Sequence, residues 1–208
     1  MANADAWTTI HAERKALLDD LEPLTDAQWA TPSLCPGWSV RDVLAHMVAT
    51  AKVTPPKFFA GLVGAGFRFN SFSEKGLAAN RGASPADTLA GLRSELTATT
   101  HPPGPLEAMV GEAVVHSEDI RRPLGISHTF PTDVLGGVAD FYKSSNLLIG
   151  GKKRVAGLTL RATDADWSSG SGPEVSGPML ALVLAIAGRR VALDDLSGDG
   201  LATLKTRL

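Results

Sequence analysis

The sequence predicts a mostly α-helical fold, a bundle of four or five helices followed by a small α+β piece, and three observations carry that expectation. Apolar residues recur at helical spacing in several separate segments, Ser and Pro stand at helix-start positions, and the pattern turns from helical to alternating after Gly150-Gly151. The 208 residues, 44% hydrophobic and 20% charged, suit a globular protein with ample apolar material for a core. The expected division is a bundle over 1–151 and an appendage over 152–208, which is too short for a comfortable core of its own and is expected to pack on the bundle.

Trp7, Ile10, Leu17, Leu18 and Leu21 mark an amphipathic first helix, with Pro23 just beyond its end. Residues 25–36 read as a turn or helical hairpin. Ser39 opens the second helix, its hydroxyl capping the chain while Asp42 closes a capping box. The apolar stripe of that helix is Val40, Val43, Leu44, Met47, Val48 and Ala51, and Pro55-Pro56 interrupts it. Between 57 and 83, Phe58, Phe59, Phe67, Phe69 and Phe72 stand among glycines, predicting a long, partly helical connection packed by aromatics. Ser84, Pro85 and Asp87 start a helix carrying Leu89, Leu92 and Leu96, which ends near His101-Pro102-Pro103. A further helix runs from Leu106 to Ile120 and stops before Pro123, and another starts at Thr132. Beyond Gly151, residues 155–162 alternate as a strand, 167–177 read as turns, 178–187 as a core helix, and 201–208 as an ambiguous tail.

Composition narrows the partners. Lys plus Arg (20) nearly balance Asp plus Glu (22), a net charge of −2 that argues against nucleic acid or an anionic membrane and for a small molecule. Cys35 stands alone, so an intrachain disulfide, a four-cysteine zinc site and a CxxC redox motif are all excluded. The N-terminal stretch is polar and amphipathic, unlike a signal peptide, and a reducing cytoplasm is the expected compartment. The longest apolar run, Met179 to Ala187, falls far short of the roughly 20 residues that span a bilayer.

Glu112 and His116 stand four apart, so on a helix both project from one face, one turn above the other. His46 lies in the second helix and can supply a third ligand across a bundle interior. Two imidazoles and a carboxylate leave a coordination position open, as in catalytic metal sites. His116 falls within the stripe of Met109, Ala113 and Ile120, while Glu112 and His46 sit at stripe edges. A carboxylate bordering a core is costly to desolvate unless it is paired or bound to a cation. The plainer alternative is a salt-bridged Glu112 and two core histidines bonded to backbone, because E-x-x-x-H recurs by accident.

LCPGWSVRDVLAHM followed by GEAVVHSEDIRRPLG resembles the DinB-like superfamily, and within it the mycothiol-dependent maleylpyruvate isomerase branch. The ending GLTLRATDADWSSGSGPEVSGPMLALVLAIAGRR is similar to the C-terminal domain of that branch. The resemblance implies a DinB-like four-helix bundle whose divalent-metal ligands fall on His46, Glu112 and His116. It implies a catalytic role for Arg189, placed like a C-terminal arginine used near the metal, with Arg81 or Arg68 as candidates for a second. A solvated helix C-terminus is the competing account of Arg189 and Arg190. Segment 57–83, where substrate contacts are expected, carries no matching phrase.

The activity so implied is thiol chemistry. A His2Glu site suits Zn2+, and also holds Fe(II), Ni(II) or Mn(II). At the open position the metal stabilises the thiolate of mycothiol, which adds to or is transferred to a small electrophile, as an isomerase or an S-transferase. The alternatives are a metal-dependent hydrolase and a non-catalytic bundle binding a metal or small ligand. Oligomeric state is not legible. Asp42 is assigned to the capping box rather than the metal, Asp119, Arg121 and Arg122 to ion pairs bracing the ligand helix, and Cys35 to structural burial. His11, His101 and His128 are assigned to surface or turn positions.

Overall fold

Capping chemistry sets where the helices begin. The computed structural model describes residues 3–147 and 149–208. Helix α1 is Asn3–Leu21, and α2, Asp26–Trp29, opens on a Thr25/Gln28 capping box. Helix α3, Val40–Lys52, opens on the expected Ser39/Asp42 box. Helices α4, Pro55–Gly64, and α5, Phe69–Asn80, fill the segment expected to be a connection. Helix α6, Pro85–Ser94, starts on a Ser84/Asp87 box, and α7 spans Leu106–Leu124.

These seven helices belong to the first of two compact units, Met1–His128 and Thr129–Leu208. Helices α1, α3, α6 and α7 form its bundle, with α5 laid along α3. Leu17, Leu21, Val43, Leu44, Val48 and Ile120 are wholly buried between them, and Trp29 closes the same core from α2. Arg121, also wholly buried, donates from Nε to Asp20 Oδ2 at 2.7 Å, tying α7 to α1.

The second unit begins earlier than the expected boundary at 151. Helix α8, Thr132–Ser144, packs its buried face of Val134, Leu135, Val138 and Ala139 with α10, Met179–Ile186, so it goes with the appendage rather than the bundle. The short α9, Gly151–Arg154, leads into β1, Thr159–Ala162. The segment read as turns holds two strands, β2, Ser168–Gly170, and β3, Glu174–Gly177. β1 lies between them, antiparallel to β2 and parallel to β3. Ser and Gly have weak strand propensity, and here the pairing with β1 decides. A 3-10 helix, Arg190–Asp195, and α11, Leu201–Lys205, complete the unit. No helix among the described residues is long and apolar enough to cross a membrane.

Three local expectations need correction. Pro55-Pro56 starts a helix rather than only interrupting one: Thr54 caps it, and proline at a first-turn position loses no helical hydrogen bond. The phenylalanines of the middle segment are only partly packed. Phe58 and Phe72 meet edge to face at 5.1 Å, whereas Phe59, Phe67 and Phe69 are more than half exposed. Pro123 lies inside the last turn of α7, which runs on to a left-handed Gly125.

Asp42 ties the start of α3 together. It accepts hydrogen bonds from the Ser39 N–H at 2.9 Å and hydroxyl at 2.6 Å, and pairs with Arg81 Nε at 2.8 Å. Burial alone would raise its carboxyl, but the Ser39 bonds and the Arg81 charge outweigh it and hold Asp42 below the usual carboxylate range. A depressed carboxyl stabilises the fold above its unfolded pKa, about 3.9, and that contribution disappears as pH falls through the folded value. Asp42→Asn is therefore expected to lower the urea-unfolding free energy at pH 7 by about 1 kcal/mol. The gap to the unsubstituted protein should close as pH falls through the lowered folded value of Asp42.

Candidate metal centre

The ligand candidates sit on two helices of the bundle that face each other. On α3, the face opposite the Val43, Leu44 and Val48 stripe is only half buried, and His46 and Thr50 lie on it one turn apart. On α7, Glu112 and His116 lie one turn apart. The packing of α3 on α7 brings the His46 and His116 rings to 5.1 Å between centroids, nearly perpendicular. Glu112 meets Thr50 and lies in the field of Arg14 from α1. Trp38, just before α3, tilts against His46 at 5.2 Å and walls that side.

Each imidazole has its Nδ1 committed to a protein partner. His46 Nδ1 lies 3.2 Å from Ser73 Oγ on α5, and His116 Nδ1 lies 2.8 Å from Asp119 Oδ2, one turn on along α7. Nε2 is therefore the nitrogen each ring has left for coordination. Glu112 Oε1 is buried and has no hydrogen-bond partner. Burial raises the Glu112 carboxyl against the opposing pull of His116, Arg14 and Thr50. An orphaned buried carboxylate oxygen one helical turn from His116 is a donor that a divalent ion would satisfy.

The two rings are electrostatically unlike. Burial and the neighbouring charge of His116, only partly offset by Asp119, push His46 down to about 3. Burial also opposes a charge on His116, but its bonds to Asp119 and Cys35, and their charges, push it up to about 10.

Cys35 is the residue whose surroundings were not foreseen. It was read as a structural thiol with no base beside it, yet its Sγ donates to Asp119 Oδ2 at 3.1 Å and lies 3.8 Å from His116 Nδ1. Sulfur, imidazole nitrogen and carboxylate oxygen lie within 4.8 Å of one another, the one such trio among the described residues. The expected triad shares His116 with it and is not drawn together as tightly. Asp119 pairs with His116 at 2.8 Å. At the same helix end Arg121 pairs with Asp20 and Glu13, and Arg122 with Glu118, as expected of ion pairs bracing it.

The remaining candidates are placed as follows. Arg81 is engaged with Asp42, and Arg68 stands just before α5 on an exposed corner. Arg189 belongs to the second unit, where it follows α10 and donates to the Ala187 carbonyl at 2.9 Å. His128 is half-buried and bonded to Glu13 at 2.9 Å, His11 lies 3.2 Å from the Ala98 carbonyl, and His101 contacts the Pro102 carbonyl at 2.7 Å.

Comparison with known proteins adds an independent line. Residues 10–101 match the family model described as Mycothiol maleylpyruvate isomerase N-terminal domain. Crystal structures of mycothiol-dependent maleylpyruvate isomerase and of a histidine-to-alanine mutant of it superpose at a TM-score of 0.67 with 16% identity, over 96% of this chain and 93% of theirs. At that identity the likeness establishes the fold alone, a helical bundle with a small α+β unit. No curated protein sequence matches the chain.

If Glu112 is placed for a cation rather than for stability, its neutral isostere should cost the metal-free protein nothing. Glu112→Gln in chelator is expected to melt at or above the unsubstituted protein by differential scanning fluorimetry. Added zinc at a hundred times its dissociation constant should then stabilise the unsubstituted protein by about 2.7 kcal/mol and the variant far less.

Proposed function

For a chain whose residues 10–101 match the mycothiol maleylpyruvate isomerase N-terminal domain and whose fold is that of the isomerase, we propose a metal-dependent enzyme acting with mycothiol on a small electrophile. The observation that carries the reading is the buried, unpartnered Oε1 of Glu112 near His116, whose ring in turn meets that of His46 and whose Nδ1, like that of His46, is already committed. His46 Nε2, Glu112 and His116 Nε2 are the proposed ligands. A divalent ion held there, Zn2+ being the best match to a His2Glu set, would supply an open coordination position at which a thiol is stabilised as thiolate.

The chain's own residues do the rest. Asp119 accepts from His116 Nδ1–H, which leaves Nε2 as the free nitrogen of that ring, and the Ser73 hydroxyl occupies Nδ1 of His46. Trp38 and Ser73 against His46 limit water around that ring, which strengthens the charge interactions there. The thiol has to come from solution, because Cys35 is bonded to Asp119 on the Nδ1 side of His116. Arg189 is proposed to pair with a carboxylate of the thiol or substrate, the role for which a planar guanidinium is suited. Maleylpyruvate is the natural first substrate to test: a thiol bound there would supply the nucleophile for its cis double bond, and rotation about the resulting single bond before elimination would return the thiol with the trans alkene. An S-transferase would stop at the adduct.

His116→Ala and His46→Ala are each expected to lose stoichiometric metal, measured by elemental analysis, while far-ultraviolet circular dichroism keeps its helical form. Mycothiol added to the cobalt-substituted protein should produce a sulfur-to-cobalt charge-transfer band in the unsubstituted protein and equally in Cys35→Ser. A saturating thiol that raises no band sinks the thiolate reading. Arg189→Ala should retain metal and lower kcat/KM about 10- to 100-fold, the size of one charge-assisted hydrogen bond.

A further inference from the structure

We propose that Asp119 is the positioning residue of the centre, fixing His116 as its anchoring ligand, and that the loop carrying Cys35 holds the Asp119 carboxylate in place. The inference rests on the metal reading above and goes beyond it by assigning residues that would not themselves hold the metal.

The geometry is built from both ends. Asp119 is wholly buried, and a single oxygen, Oδ2, accepts from His116 Nδ1 at 2.8 Å and from Cys35 Sγ at 3.1 Å. A buried carboxylate is costly without such donors, so its place in the bundle needs them both. The backbone of the same residue is used as well. Pro123 has no N–H to give to the carbonyl four residues back, which is that of Asp119, and the Leu34 N–H takes the carbonyl instead at 3.1 Å. The proline inside α7 thus opens a docking point for the loop on the ligand helix.

That loop is itself constrained. Ser33 Oγ donates to the Trp38 carbonyl at 2.8 Å and accepts from the Cys35 N–H at 3.1 Å, the Val40 N–H bonds the Thr31 carbonyl at 2.9 Å, and Gly37 takes a φ of +81° that other residues adopt only with strain. One short loop therefore touches both imidazoles: Cys35 braces the partner of His116, and Trp38 packs on His46. The two ligands are held unequally. His46 has only the neutral hydroxyl of Ser73 at 3.2 Å, whereas His116 has a charge-assisted bond from its own helix.

The test measures zinc affinity by competition with a chromophoric chelator, together with the cobalt ligand-field spectrum and the downfield Nδ1–H proton of His116 in metal-free protein. Asp119→Asn is expected to weaken zinc binding about 10- to 100-fold, shift the ligand-field bands and lose the downfield proton. Ser73→Ala should weaken binding less than Asp119→Asn. Cys35→Ala should cost between about two- and tenfold with Cys35→Ser restoring most of it, which keeps the proposal testable if Asp119→Asn fails to fold. Zinc bound equally by the unsubstituted protein and Asp119→Asn overturns the inference alone, whereas an unsubstituted protein that binds no zinc overturns the metal reading. A sulfur-to-cobalt band without added thiol, abolished in Cys35→Ser, also overturns the inference, because Cys35 would then be a ligand.

Discussion

The candidate site in the first unit is arranged around a carboxylate, Glu112, that the bundle satisfies only in part. Glu112 sits between helices where desolvation costs several kcal/mol, and its neighbours Arg14, Thr50 and His116 offset only part of that. A sequence under pressure for stability alone would place an apolar residue there, since a well-packed isostere of a buried polar group is usually neutral or better. The rest of the core follows ordinary rules, with Leu17, Leu21, Leu44, Val48 and Ile120 closing it on the other side of α3 and α7. Local violation beside global consistency is the pattern expected of a functional site.

The same constraint explains why the two histidines are not equivalent. Rings 5.1 Å apart in a desolvated setting repel when both are charged, so one must yield the proton. Asp119 decides which: the ring beside the carboxylate is pushed to about 10 and its neighbour to about 3. A hydrogen-bond partner placed one turn away thereby sets the character of a residue on another helix.

Much of this was legible in the chain, for reasons that can be named. The Ser39/Asp42 and Ser84/Asp87 boxes announce helix starts because the side-chain bonds are local, and the Glu112/His116 spacing fixes a shared helix face from sequence alone. What escaped was non-local. β2 and β3 are Ser- and Gly-rich and exist through pairing with β1, so no propensity marks them. The attachment of α8 to α10 depends on which apolar face finds which partner, and 151 looked like the boundary only because the periodicity changes there. Cys35, Ser73 and Asp119 carry no spacing signal toward His46 or His116, apart from the three-residue step from His116 to Asp119, which is equally the spacing of an ion pair.

Pro123 shows how a feature that reads as a helix stop acquires another meaning. From sequence it ends the ligand helix, and on that view the Asp119 carbonyl is merely a terminal group. In the structure the helix continues past it to Gly125, so the missing N–H falls inside a formed turn and releases one carbonyl at the level of the site. That carbonyl is where the loop before α3 attaches. A proline elsewhere in the turn would free a carbonyl on a different face. The position of this one aligns the break with the residue whose side chain holds His116, joining backbone and side-chain anchoring at Asp119.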